Sequence, residues 1–135
     1  MRTMTTGYSE CVVAPGTFED VLERTRAALA EEGFGVLSEI DVRATLKARL
    51  GVEREPYTIL GACNPPLAHR ALEAELQLGA LLPCNVVVFV DDGVTHVSAV
   101  AAEEMLALVG NPELAPVARE AGARLTRVLE RVAAS

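Results

Sequence analysis

The sequence predicts an α+β domain, a mostly antiparallel sheet with helices packed on one face. Three observations carry this. Short β-type runs at 8–14, 35–40, 55–62, 85–90 and 94–100 are interspersed with helical stretches. Two of the runs are joined by Asp91-Asp92-Gly93, a strong hairpin turn that makes that pair antiparallel. The main helical stretches carry a single apolar stripe, so each buries one side against a common layer.

Residues 8–14 form the first strand, ended by the turn pair Pro15-Gly16. Thr17 caps the next helix, with Asp20 three residues on, close to a capping box. The stripe is Phe18, Val21, Leu22, Ala28 and Leu29. Gly33 is placed to end this helix in the left-handed conformation, with Phe34 folding back onto its last turn. Residues 35–40 are the second strand, and Asp41 caps a short helix through Leu46 and Leu50 to Gly51. Tyr57, Ile59 and Leu60 supply the β propensity of the third strand, 55–62.

Asn64 is then a good N-cap, with Pro65 at the favoured first helical position. This helix carries Leu67, Ala71, Leu72 and Leu76 and is expected to stop at Gly79. Leu81-Leu82-Pro83 leads into 85–90, a run apolar on both faces and therefore central in the sheet. Residues 94–100 return with alternating apolar positions, and a short helix spans 102–109. Gly110-Asn111-Pro112-Glu113 starts the final helix, whose stripe runs from Leu114 through Val117, Ala121, Leu125 and Val128 to Val132. The order reads β-α-β-(short α)-β-α-β-β-α.

The chain has 135 residues, half of them apolar, with no repeat, low-complexity block or linker, which suits a single domain over 1–135. The net charge of −7 argues against nucleic acid or an anionic membrane surface as the main partner, since both require a basic patch. Lys47 is the only lysine among twelve cations, and the arginines interleave with acids as on a solvated helix face. No apolar run approaches the roughly 18 residues that span a bilayer, and none resembles a signal segment. A cytoplasmic address is expected. Three cysteines, an odd number, then read as reduced thiols.

Two Cys-Asn steps are the most distinctive chemistry. Cys63-Asn64-Pro65-Pro66 sits where a strand hands over to a helix, a place where free N–H groups and the helix dipole favour anions and lower a thiol pKa. Equally, Asn64 is a plain cap and Cys63 a small buried hydrophobe. Leu82-Pro83-Cys84-Asn85 reads as a tight lead into a buried strand, with Asn85 tying down a loop. Topology decides whether the two steps meet. Antiparallel strands put both cysteines at one end of the sheet, whereas a parallel crossover separates them by a strand length, on the order of 20 Å. His69 is the one histidine near them, but Cys-x5-His is no standard zinc spacing, so a Cys63/Cys84/His69 metal site is an unspecific option. His96 reads as a surface or partly buried residue, Cys11 as core, and Asp91-Asp92 as turn residues. Phosphate loops, nucleophile elbows and Ser/His/Asp arrangements are absent from the sequence.

The stretch Tyr57-Thr-Ile-Leu-Gly-Ala-Cys-Asn-Pro-Pro-Leu-Ala-His69, with Gly79-Ala-Leu-Leu-Pro-Cys-Asn-Val-Val-Val88, resembles the bacterial and archaeal family called domain of unknown function 302. The likeness extends to Gly33-Phe-Gly-Val-Leu-Ser-Glu-Ile-Asp-Val-Arg-Ala-Thr-Leu-Lys47 and covers nearly the whole chain. It implies a β-α-β(4)-α fold with an antiparallel sheet, a homodimer, and the topology in which the Cys-Asn steps share a site. It implies no established activity, and it leaves any metal or other cofactor unknown.

The expected function is a non-enzymatic small-molecule or metal/thiol-binding module. Cys63 and Cys84 touch the ligand, Asn64 and Asn85 fix the loops and orient N–H donors, and His69 is a third contact. The alternative is a thiol-redox or sulfur-handling enzyme with Cys63 as nucleophile and Cys84 as resolving partner.

Overall fold

A computed structural model describes residues 3–134. Its elements are β1 (Thr3–Thr5), β2 (Ser9–Val13), α1 (Phe18–Glu31), β3 (Gly35–Asp41), α2 (Val42–Leu50), β4 (Tyr57–Cys63), α3 (Pro65–Ala74), β5 (Cys84–Asp91), β6 (Val94–Val100), α4 (Ala102–Ala107) and α5 (Ala115–Ala134). Short 3-10 segments cover Leu76–Leu81 and Pro112–Leu114.

The strands make one six-stranded sheet in the order β1-β2-β6-β5-β4-β3, and every neighbouring pair is antiparallel. The expected α+β architecture holds, with one strand more than the sequence reading anticipated. β1 pairs with β2 at the edge, a three-residue run too short to carry a periodic signal.

Period-two alternation sorts the strands onto two faces. Val12, Leu60, Ala62, Val86, Val88, Val97 and Ala99 point to one side, where they pack with the buried stripes of α1, α3 and α5 in a single cluster. The opposite face bears no helix from this set. Rows of cross-strand neighbours run along it: Ile40, Ile59, Val87, Ser98 and Cys11, then Tyr57, Phe89, His96 and Val13.

Local signals set most boundaries. Thr17 Oγ1 accepts from Asp20 N–H at 3.2 Å, and Asp41 Oδ1 accepts from Ala44 N–H at 2.9 Å. Gly33 adopts φ +82°, which lets Phe34 N–H reach back to the Leu29 carbonyl at 2.9 Å. Asp92 and Gly93 are both left-handed, the twist that a tight hairpin needs.

Two expectations change. The helix after Asn64 ends at Ala74 instead of running to Gly79, because Glu75 turns to an extended conformation. Asn111, from a distant turn, donates to the Ala74 carbonyl at 3.0 Å and to Glu75 Oε1 at 3.3 Å. Such a long-range contact leaves no mark on periodicity. Cys11 is buried as expected, on the sheet face away from the helices, with its Sγ 3.9 Å from His96 Nδ1. His96 is itself buried and stacks on Phe89 with ring centroids 5.1 Å apart. Alternation in β2 and β6 places this pair: Val12 and Val97 take the side of the helices, so Cys11 and His96 take the other, and the sheet's own neighbours bury the His96 expected at the surface or only partly buried.

Candidate functional site

The β4–β5 ladder pairs Ala62 with Cys84, and Cys63 follows Ala62 at the end of β4. Because the strands are antiparallel, the end of one and the start of the other share an edge of the sheet, and both cysteines lie there. Both line one cavity of about 320 Å³ that opens to solvent. Cys63 and Cys84 are each partly buried, and no disulfide joins them.

The cavity lies between this end of the sheet and α3, with Leu106 of α4 and Val117 and Ala121 of α5 also lining it. Leu67, Ala68 and Ala71 line it from the helix, Phe34 and the exposed Leu37 from the turn and strand before it, and Leu78, Leu82 and Pro83 from the segment leading to β5. Leu37 sits where the β3–β4 register slips between Val36 and Ser38, a bulge that leaves it free of the regular alternation. The alanines of α3 provide the space, since longer side chains at their positions would occupy it. Nearly all of the wall is hydrocarbon.

Electrostatics agree with that wall. Burial pushes the Cys84 thiol up to about 11 from its ordinary 9.0, and the neighbouring Cys63 thiol adds to the rise. The thiol of Cys84 is therefore protonated at neutral pH. Sign follows directly: the folded state holds the proton more tightly than the unfolded chain does. Stability from this group is whole below pH 9 and is lost as pH climbs toward 11. A melting temperature that falls across this window in the parent protein, and falls less in Cys84→Ala, is the expected result of a pH series.

The start of α3 departs from the anion-binding expectation. Its first two residues, Pro65 and Pro66, have no N–H to offer, and the third, Leu67, donates to Asn64 Oδ1 at 3.2 Å. Asn64 is thus occupied as a cap, and its Nδ2 donates to the Glu32 carbonyl at 3.4 Å. That carbonyl also accepts from Arg124 Nη1 at 2.9 Å, while the buried Glu32 carboxylate takes Arg127 Nη2 at 3.0 Å and Arg131 Nη2 at 3.3 Å. Asn64 accordingly ties α3 to the residue that ends α1, Glu32, which arginines of α5 hold in turn. It orients no donor toward the cavity.

Asn85 and His69 are placed elsewhere. Asn85 is opposite Gly61 on the helix-free face, one residue out of phase with Cys84. His69 is 76% exposed on the outer side of α3, where its partner is Glu73 at 3.9 Å. The three-ligand set Cys63/Cys84/His69 is not assembled, and among the described residues no group of three or more His, Cys, Asp or Glu side chains could hold a metal.

A profile of the family "Domain of unknown function DUF302" matches residues 10–132. The chain belongs to that family. In keeping with this, the DUF302 chain is similar to the crystal structure of an uncharacterized conserved DUF302 protein from Bacillus stearothermophilus. The two are 30% identical with a TM-score of 0.86, over 92% of this chain and 97% of that one. No functionally curated protein matches it. Among the described residues of this DUF302 chain no helix is long and apolar enough to cross a membrane.

The sequence reading missed the apolar wall. Leu67 and Ala71 pack in the core as expected and line the cavity as well, and the one sequence signal for open space there is the pair of small residues Ala68 and Ala71 on the helix that follows Cys63.

Proposed function

We propose that this protein is a non-enzymatic binding module for a small, uncharged, largely apolar molecule, held in the cavity where Cys63 and Cys84 meet. The observation that carries this is the wall itself, nearly all hydrocarbon, beside a helix start with no N–H to spare. An anion or a strongly hydrated ligand would lose its water there without replacement hydrogen bonds. The thiols supply soft, polarizable contacts to such a ligand. The thiol-redox alternative is disfavoured because Cys84 holds its proton at neutral pH.

Titration with N-phenyl-1-naphthylamine, an uncharged fluorescent probe, tests the reading. Saturable binding at one site, with a raised melting temperature, is expected. A protein that ignores this probe, small thiols, zinc and copper(I) alike, and that carries nothing when its native mass is measured, is not such a module.

A homodimer joined through the helix-free face is a second part of this proposal. Tyr57 stacks on Phe89 at 5.5 Å and Phe89 on His96 at 5.1 Å, an aromatic row across three strands with Arg54 over its end at 5.0 Å. Ile40 and Val94 are exposed at its margins, and α2 buries none of its residues. Strand spacing gives this face about 500 Å² per copy, so a pair would bury about 1,000 Å², at the lower bound of specific interfaces. Sedimentation should report a dimer for the parent and a monomer for Phe89→Lys, with the melting curve still cooperative. A parent that stays monomeric at high concentration excludes this interface.

A further inference from the structure

A second cavity, of about 460 Å³, lies on the helix-free face of the sheet and opens to solvent. Strand register explains its shape. Val87, Ser98 and Cys11 are cross-strand neighbours and line it together. Two residues along the strands, on the same face, stand Tyr57 and Phe89 on one side and Asn85, Val100 and Ser9 on the other. Short side chains thus form a floor between two banks. Phe89 and Asn85 are four residues apart in β5, about 13 Å between Cα atoms, which leaves a trough wide enough for a flat ring once both side chains are allowed for. Thr6 and Tyr8, in the turn between β1 and β2, complete the lining. Thr6 Oγ1 accepts from the N–H groups of Tyr8 and Ser9 at 3.1 and 2.9 Å, which fixes that turn beside the trough.

The two banks differ in chemistry. Tyr57 and His96 stack on Phe89 from the strands on either side of it, and Arg54 lies over the Tyr57 ring. With their faces covered, these rings turn edges toward the trough, an apolar bank. The opposite bank is polar. Asn85 is exposed, and among the described residues its amide has no hydrogen-bond partner. Of the four residues in the two Cys-Asn steps, Asn85 alone stands outside the cavity beside Cys84, and it lines this one. No Asp, Glu, Lys or Arg lines the trough, although such residues make up 23% of the chain.

We propose that this trough is a second small-molecule site, one that takes a neutral aromatic ring bearing a carboxamide. The Asn85 side chain presents a carbonyl and an NH₂ group side by side. A ligand carboxamide is its complement: the ligand N–H donates to the Asn85 carbonyl, and the Asn85 NH₂ donates to the ligand carbonyl. The ring then lies over Val87 and Ser98, with its apolar side toward Tyr57 and Phe89. A carboxylate in the same place would lose water with no cation among the lining residues to replace it. An ester would accept from Asn85 but give nothing back. The volume falls within the range of about 300–1,000 Å³ usual for small-molecule sites.

Tyr57 and Phe89 also belong to the face through which a dimer is proposed above. A second copy laid on that face would cover the trough, so ring and partner exclude each other. The ligand therefore draws the chain toward the monomer. This consequence rests on the dimer reading. The trough itself depends neither on that reading nor on the cavity beside Cys84.

The test titrates the full chain with 2-aminobenzamide, an uncharged fluorescent member of this class, and reads binding as a rise in its anisotropy. Asn85→Leu, similar in size but without the amide, should bind about tenfold more weakly and melt as the parent does, since Asn85 is exposed and holds no other residue. The charged analogue 2-aminobenzoate should bind the parent at least about tenfold more weakly, and methyl 2-aminobenzoate about fivefold more weakly. Ala68→Trp, which fills the other cavity, should bind like the parent. With the probe saturating, sedimentation should report a monomer. No anisotropy change up to about 1 mM protein, full affinity in Asn85→Leu, or equal affinity for amide and carboxylate overturns the site. Loss of binding in Ala68→Trp puts the probe in the other cavity and overturns it too. Bound probe with the dimer intact overturns the competition alone. A parent that is always monomeric, yet binds through Asn85, overturns the dimer and leaves the trough standing.

Discussion

Gly61→Val is expected to cost about 3 kcal/mol of folding stability, read as a lowered urea midpoint with unchanged slope. A β-branched residue in a strand interior would ordinarily favour the sheet, by up to about 1 kcal/mol over glycine, so the sign is decided by space. A Cβ at Gly61 would lie 2.2 Å from Ser38 Oγ and 2.9 Å from Pro83 Cγ. The hydroxyl can rotate away. The proline ring cannot, and relief requires the Pro83 backbone to move, taking Cys84 with it. Ser38→Ala combined with Gly61→Ala isolates the Pro83 contact and should retain a smaller loss, about 1 kcal/mol. A valine variant within about 0.5 kcal/mol of the parent would mean that the Pro83 segment yields freely.

Ala68→Trp is expected to weaken N-phenyl-1-naphthylamine binding by about 100-fold while leaving the protein as stable as the parent or slightly more so. Ala68 is half-buried on α3 and lines the cavity, so an indole there occupies much of the 320 Å³ that the ligand would use. Stability should not suffer because the added surface fills existing space and displaces no packed neighbour. His69→Ala, one residue along and outside the cavity, is the matched control and should change affinity by less than about twofold. Unaltered affinity in Ala68→Trp places the probe somewhere else on the molecule.

Many features of the fold are legible in local residues because their causes are local. Thr17, Asp41 and Asn64 cap helices with their own side chains, Gly33 and Gly51 adopt the left-handed conformation at helix ends, and Asp92-Gly93 turns a hairpin. The end of α3 is different. It depends on Asn111, more than thirty residues away, donating to the Ala74 carbonyl. Likewise the face taken by Cys11 and His96 follows from the phase of β2 against β6, which two short strands do not declare by composition. The candidate site divides in the same way. Its cysteines are visible as residue types in paired Cys-Asn steps, but its hydrocarbon wall comes from five separate segments.

By itself, the amino-acid sequence determined the element types, the caps and turns, the antiparallel hairpin and the presence of two thiol-bearing steps, because each depends on neighbours within about four residues. Tertiary structure alone decided that Cys63 and Cys84 line one cavity while Asn85 and His69 lie outside it. The reason is that strand pairing sets which ends of the chain meet, and pleat phase sets which side chains face each other. Both depend on contacts between residues far apart in sequence.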